Sequence, residues 1–202
     1  MSVRPARPPS RRALLLLMLV LFFAPLLLSF LIYYGSDWRP AGHTNHGTLI
    51  EPPRALPRVA LPRGDNGARG DSAAADALSG RWSLVYIGDG DCDQRCRSTL
   101  YFMRQTHLSL GNLGTRVQRV FLVSARCCNL TFLAREHPGL VTLDAQGAPA
   151  AGLLAQFPPD QRATTIFIVD PRGNLMMRYD ANADPKGLRD DLKKLLNLSH
   201  IG

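Results

Sequence analysis

The 202-residue chain combines a hydrophobic content of 46% with a formal net charge of +8. Four arginines precede a long apolar run, and from residue 81 onward 15 basic residues accompany 11 acidic ones with no basic cluster. Such dispersed charge is typical of a solvated surface and argues against nucleic-acid binding. The sequence contains no Ser-His-Asp set, phosphate-binding loop, paired-histidine zinc motif or dinucleotide fingerprint, which excludes the common hydrolase and kinase classes.

The first predicted element is an uncharged apolar run from Ala13 to Tyr34. At about 1.5 Å per residue, this run is long enough to cross a bilayer core of roughly 30 Å. It exceeds the ~7–15 apolar residues of a cleaved signal peptide, and the following GSDWRP offers no small-residue cleavage site. We therefore expect residues 13–34 to form an uncleaved transmembrane helix in contact with lipid, after a short segment of residues 1–12.

Charge predicts the orientation of this helix. The arginines crowd its N-terminal side, whereas Asp37 and Arg39 cancel on the other side. The positive-inside rule places residues 1–12 in the cytoplasm and the remainder of the chain outside. The chain is rich in arginine and has only three lysines, a composition common in bacteria with GC-rich genomes. We expect a single-pass protein of a bacterial inner membrane with its C-terminal domain in the oxidising periplasm.

Residues 35–80 are rich in proline, glycine and alternating charge, and they predict a linker. Within it, GTLIEPPRALP is the one stretch that we expect to lie against the domain as an edge segment. His43 and His46 are expected to be solvated linker histidines.

Residues 81–202 predict one domain of ordinary size. Apolar runs predict five strands, and periodic patterns predict four helices. The strands are expected at Trp82–Ile87, Val117–Val123, Leu140–Leu143, Thr164–Val169 and Leu175–Tyr179. The helices are expected at Cys96–Leu110, Leu130–His137, Gly152–Phe157 and Pro185–Leu198. The last two strands flank DPRGN and predict a hairpin, so the order favours an α/β sandwich with a mixed sheet.

Two of the four cysteines, Cys92 and Cys96, occur in GDGDCDQRCRSTLYFM. Residues four apart share one face of a helix, with Cβ atoms ~5–6 Å apart, so both sulfurs can point to one place. Soft thiolates select Cu(I), while the same pair could close a disulfide. The residues alone leave open a Cu(I) site, a redox pair and a structural crosslink. Cys127 and Cys128 are adjacent and rarely bond each other in that arrangement; no role is assigned to them.

The membrane anchor, the first apolar strand, Cys-x-x-x-Cys at the mouth of a helix and a later strand running into VDPRGNL together resemble the Sco/SenC branch of the thioredoxin-like superfamily. The resemblance covers residues 80–198 and the anchor. It implies a thioredoxin-like fold, with Cys92 and Cys96 as a redox pair or as Cu(I) ligands. It also implies that the partner is the copper-bearing subunit of a cytochrome oxidase or one of its assembly factors.

One departure from that family concerns its third copper ligand, a histidine just before the strand that leads into the Asp-Pro turn. That place falls at about Arg162, whose guanidinium has no lone pair for a metal. Pro158 and Pro159 come too early to match the cis-proline of thioredoxin. The chain therefore resembles a divergent member that lacks the copper-binding histidine.

The remaining histidines do not replace that ligand. His107 lies eleven residues beyond Cys96, which is about 16 Å along a helix and too far to share a metal. His107 itself, His137 before Pro138 and the C-terminal His200 are all expected in surface or capping roles.

The leading hypothesis is a membrane-anchored periplasmic protein that assists copper-centre assembly in a respiratory oxidase, by Cu(I) handling or thiol–disulfide exchange. A second is a general periplasmic thiol–disulfide oxidoreductase, whose cysteines react through a mixed disulfide. A third is a non-catalytic member of the family that acts by docking. Copper binding distinguishes the first from the others, and a reversible Cys92–Cys96 disulfide distinguishes the second from the third.

Overall fold

A computed structural model describes residues 10–35, 44–64, 77–126 and 129–202 of the chain. The chain divides between residues 43 and 44 into two units. The first contains helix α1, Arg11–Gly35, with Pro25 inside it and no buried side chain. Among the described residues, it is the one helix long and apolar enough to cross a membrane. Residues 1–9, His43, Cys127 and Cys128 lie outside the described residues.

The described residues of the second unit form six strands and four further α-helices. The strands are β1 Thr48–Ala55, β2 Trp82–Asp89, β3 Val117–Ala125, β4 Leu140–Asp144, β5 Thr165–Val169 and β6 Asn174–Asp180. The helices are α2 Gln94–Ser109, α3 Leu130–Glu136, α4 Ala148–Leu154 and α5 Pro185–Leu198.

The strands form one mixed sheet in the order β1-β6-β5-β2-β3-β4. Strands β2, β3 and β4 are parallel, whereas β5, β6 and β1 add in antiparallel pairs. The β5–β6 hairpin closes over DPRGN, where Gly173 has φ +87° and donates its N–H to Asp170 O at 3.0 Å. A positive φ of this kind is available to glycine at little cost. The predicted hairpin and the predicted mixed α/β sheet are confirmed.

The core has two layers because side chains alternate across each strand. One face of the sheet carries Leu84 and Tyr86 of β2 and packs against α2 and α5. The opposite face carries Val85 and Ile87 and packs against α4 and Leu61. Both strand faces are buried, which is why β2 is a continuous apolar run in the sequence. The cysteine pair belongs to the first of these layers.

The predicted linker is wrong where it covers residues 44–64. The expected edge segment is strand β1, which pairs with β6, and further along Leu61 is only 2% exposed. Composition did not reveal β1, because this strand is held by main-chain hydrogen bonds and leaves nearly all its side chains exposed. The folded unit therefore begins at Thr44 and not at residue 81.

Helix α4 was expected at Gly152–Phe157 but occupies Ala148–Leu154. Pro149 lies in its first turn, where the missing N–H of proline costs nothing and its fixed φ favours a helix start. The proline, not the later apolar residues, marks where the helix begins.

Candidate functional site

The two cysteines lie between β2 and α2, but α2 begins at Gln94 and not at Cys96 as predicted. Asp93 is the N-cap, and its side chain accepts a hydrogen bond from the backbone N–H of Cys96 at 2.9 Å. Cys96 is therefore the third residue of the helix. Cys92 precedes the cap and has φ +47°, in the left-handed region that residues other than glycine seldom adopt.

A disulfide joins Cys92 to Cys96, with the Cα atoms 5.0 Å apart. The predicted reason for their proximity, a shared helical face, is wrong, because a turn before the helix brings Cys92 over Cys96. Cys92 is 1% and Cys96 3% exposed. Thiol–disulfide exchange requires a thiolate to reach one of the sulfurs, so this arrangement resists attack while the turn is closed.

Arg97 holds the turn from the side of the helix. Its Nε donates to Cys92 O at 3.1 Å, and its guanidinium carbon lies 5.0 Å from the ring centroid of Phe132 on α3. A cation over an aromatic face is stabilised by the ring quadrupole. The role of Arg97 in fixing the Cys92 carbonyl was not predicted from the sequence.

Arg126 holds the turn from the side of β3. It binds Asp89 Oδ2 through Nη2 at 2.8 Å and Nε at 3.2 Å, and its Nη1 lies 3.2 Å from Asp91 Oδ2. The pKa of Asp89 is lowered by the backbone N–H of Asp91 and then by Arg126. No sequence signal pairs residues 37 positions apart, so sequence reasoning missed this contact.

Tyr86 supports the site from beneath. Its hydroxyl donates to Ala163 O at 3.3 Å, and burial, followed by the nearby charge of Asp93, raises its pKa to about 12. The hydroxyl therefore stays protonated and ties β2 to the 3₁₀ turn Arg162–Thr164, which also contacts α2. This is the loop in which the family resemblance expects a metal-binding histidine.

Arg162 has a structural role in that loop. Its Nε donates to Phe157 O at 3.1 Å and its Nη2 to Leu154 O at 2.5 Å, at the C-terminal end of α4. A cation there satisfies carbonyls that the helix leaves without partners. The guanidinium is thus occupied by main-chain oxygens.

Two histidines have assigned structural partners. His107 Nε2 lies 3.0 Å from both Gly114 O and Val117 O and donates to these carbonyls, in agreement with a capping role. His46 is not a free linker histidine. Its backbone N–H and ring Nδ1 both contact the buried carboxylate of Asp191, at 2.8 and 3.2 Å.

His137 is the C-cap residue of α3, which confirms the capping role, but it is not at the surface, since it is only 4% exposed. His200 is exposed. Within the described part of the chain, no group of three or more His, Cys, Asp or Glu side chains could hold a metal ion.

The comparisons with known proteins confirm the expected thioredoxin-like fold. The family described as a transmembrane-like, thioredoxin-like C-terminal domain matches residues 82–199, more than half of the chain. No curated protein matches the chain by sequence.

Three solved structures are informative. Apo Sco1 from Thermus thermophilus has a TM-score of 0.58 and 22% identity, covering 77% of this chain and 99% of its own. Yeast Sco1 with copper bound has a TM-score of 0.58 and 17% identity, covering 78% and 96%. BsSco has a TM-score of 0.52 and 15% identity, covering 75% and 100%; it is described as a member of the Sco family of cytochrome c oxidase assembly proteins with a disulfide switch. At these identities, the similarity shows a shared fold.

Proposed function

The chain belongs to the family of transmembrane-like, thioredoxin-like C-terminal domains, and we propose that it is a membrane-anchored assembly factor for the copper centre of a respiratory cytochrome oxidase. The observation that carries this proposal is the Cys92–Cys96 disulfide at the mouth of α2 on a thioredoxin-like domain. The yeast relative contains copper and BsSco is described as an oxidase assembly protein, which supports the same role here.

The proposed chemistry is thiol–disulfide exchange. A client thiolate attacks one sulfur of the disulfide, the Cys92–Cys96 bond breaks, and the other cysteine leaves as a thiolate. A second client thiolate then attacks the mixed disulfide. The client leaves with a disulfide, and both cysteines are reduced. The helix N-terminus favours the thiolate form of a cysteine beside it, and Cys96 lies in the first turn of α2.

The reduced pair would also hold copper as cargo. Two sulfurs from positions only 5.0 Å apart at Cα fit Cu(I), which soft thiolates select. They do not fit Cu(II), which prefers nitrogen and oxygen ligands in a tetragonal arrangement. Arg162 supplies only donors and is engaged with Leu154 and Phe157, so it adds no ligand.

The proposed location is a bacterial inner membrane, with α1 as a single-pass anchor and the thioredoxin-like domain in the periplasm. The arginines before α1 support this orientation through the positive-inside rule. A C-terminal alkaline phosphatase fusion should be active, and a fluorescent cytoplasmic reporter at the same point should be dark. The reverse pattern contradicts the orientation and the oxidising compartment that follows from it.

Burial of both sulfurs favours a second candidate function, in which the disulfide is structural and the protein acts by docking. One experiment separates the two. The full chain in detergent micelles is equilibrated with glutathione redox buffers and then titrated anaerobically with Cu(I) against a coloured chelator. The assembly role requires a reversible Cys92–Cys96 disulfide and Cu(I) binding that Cys92→Ser abolishes. A disulfide that forms only irreversibly, together with no copper binding by the reduced chain, supports docking.

A further inference from the structure

Burial of both cysteines limits the access of other thiols to the disulfide. Both sulfurs are almost completely buried, so a thiolate cannot approach either of them along the S–S axis. Exchange depends on access as well as on thiolate chemistry. The turn of residues 89–93 must therefore move before the disulfide can react.

The turn is held by main-chain and side-chain contacts of different strength. Gly90 donates its N–H to Ala125 O at 2.9 Å and accepts from Asn129 N at 3.2 Å. These main-chain bonds fix the base of the turn. The outer contacts are the ion pairs from Arg126 to Asp89 and Asp91. We refer to these three residues as the Arg126 latch.

The ion pairs of the latch contribute little free energy to holding the turn closed. The side chains of Arg126, Asp89 and Asp91 are 74%, 37% and 63% exposed. Exposed ion pairs contribute little and are screened by salt. The backbone on both sides opposes closure, because Cys92 has φ +47° and Arg126 has φ +28°. Such conformations persist only where surrounding contacts enforce them.

We propose that the Arg126 latch controls access to the Cys92–Cys96 disulfide. When the ion pairs break, the turn lifts from β3 and Cys92 can relax from the left-handed region, which exposes a sulfur to an attacking thiolate. A client with an acidic surface beside its cysteines would compete for Arg126 and open the latch as it docks. This inference rests on the proposed exchange at the same disulfide. Arg126 is a positioning residue in it, since it acts through the turn and does not touch the reacting atoms.

The test measures the second-order rate at which dithiothreitol reduces the Cys92–Cys96 bond in the full chain in micelles, by isotopic thiol trapping and peptide mapping. We expect Arg126→Gln to raise this rate about three- to tenfold at low salt. The ratio of the two rates should approach one in 1 M NaCl, because salt screens the pairs in the wild type. Arg126→Lys, which keeps one cation, should fall between them.

The sign of the effect identifies its cause. Removing a cation weakens the attraction of an anionic thiolate, which by itself would slow reduction, so faster reduction points to opening of the turn. Arg135→Gln is the matched control, because Arg135 forms an exposed ion pair with its neighbour Glu136 and, among the described residues, no ion pair with the turn. Its rate should stay within twofold of the wild type.

Equal rates for wild type and Arg126→Gln at low salt, or equal acceleration by Arg135→Gln, overturn the latch. If the latch fails while the disulfide still equilibrates with glutathione, the proposed function stands without it. If Arg126→Gln accelerates reduction but the reduced chain neither re-forms the disulfide reversibly nor binds Cu(I), the latch stands and the proposed function fails.

Discussion

Strand β3 connects two charged regions. They differ in how deeply the charges are buried and in whether each cation has a carboxylate partner. Past its carboxyl end, Arg126 pairs with two aspartates in solvent. Near its amino end, Arg119 is 5% exposed and lies beside Arg104 and His137. Its Nη2 donates to Pro138 O at 2.6 Å, while its Nη1 has no hydrogen-bond partner in the described part of the chain.

The difference shows that exposure to solvent determines whether a charged group holds the structure in place or lets it move. At the exposed end, water solvates either ion once a pair breaks, so the turn that carries Cys92 can open at small cost. At the buried end, burial lowers the pKa of Arg119. A hydrogen bond to the Pro138 carbonyl, just beyond α3, replaces part of the hydration that the guanidinium loses. Arg104 adds a second such contact, from Nη1 to Glu136 O at 2.8 Å. The buried end fixes α3, and the exposed end permits movement.

The largest expected effect is at the buried end. Arg119→Ala should lower the free energy of unfolding by about 2–4 kcal/mol, because it opens a cavity and leaves the Pro138 carbonyl without a donor. Arg119→Met fills most of that space but also leaves the Pro138 carbonyl without a donor, so it should cost about 1–2 kcal/mol, less than Arg119→Ala. Urea unfolding of the full chain in micelles, followed by the fluorescence of the buried Trp82, measures both variants. Equal losses in the Ala and Met variants would show that the polar contact of Arg119 with the Pro138 carbonyl, and not packing, matters there.

Reduction of the disulfide comes next in size. The bond closes a short loop between cysteines four positions apart, and the chain-entropy relation gives about 2 kcal/mol for a loop of this length. Unfolding of oxidised and reduced protein should differ by that amount, and Cys92→Ser should match the reduced form. If the oxidised and reduced proteins have the same free energy of unfolding, the disulfide does not stabilise the domain by restricting the unfolded chain.

A smaller effect concerns pH. The pKa of His137 is lowered from 6.5, first by burial and then by Arg119 and Arg104, with Glu136 opposing. The unfolded chain therefore binds this proton more readily, so the stabilising contribution is complete above about pH 6.5 and is lost as the pH falls toward the folded-state pKa. Between pH 7.5 and 5, the wild type should lose more stability than His137→Phe, which keeps a ring against Phe132 but cannot take up a proton.

The control for that comparison is His200→Gln, since His200 is exposed. Its stability should follow the wild-type pH dependence. If His137→Phe shows the same slope as the wild type, His137 does not carry the acid sensitivity of the domain.

The smallest expected effect is at the exposed end. Asp91→Asn removes one ion pair of Arg126 and should change the free energy of unfolding by less than about 1 kcal/mol. The unfolding midpoint in urea, at low and high salt, measures it. A loss as large as that of Arg119→Ala would remove the contrast between the two ends of β3.

Much of the fold follows from local patterns. Strands β2, β3 and β5 are buried on both faces, so each is a short apolar run, and DPRGN contains the glycine that its turn requires. The edge segment expected in GTLIEPPRALP is strand β1, but its bounds within the linker were not predicted, because its stabilisation comes from pairing with β6. The start of α2 was predicted two residues late, at Cys96, although Asp93 is a strong N-cap residue that marks the start at Gln94.

The sequence by itself determined that an apolar helix precedes a mixed α/β domain. It also determined that two cysteines four positions apart lie near the start of the first helix of that domain. These features depend on hydrophobic periodicity, turn residues and spacing, which are local properties of the chain. Only the tertiary structure decided that Cys92 lies outside the helix in a left-handed conformation, that both sulfurs are buried, and that Arg126 holds the turn above them. Those depend on contacts between β2, α2 and the end of β3, and the energy of a contact between distant residues leaves no periodic signal in the sequence.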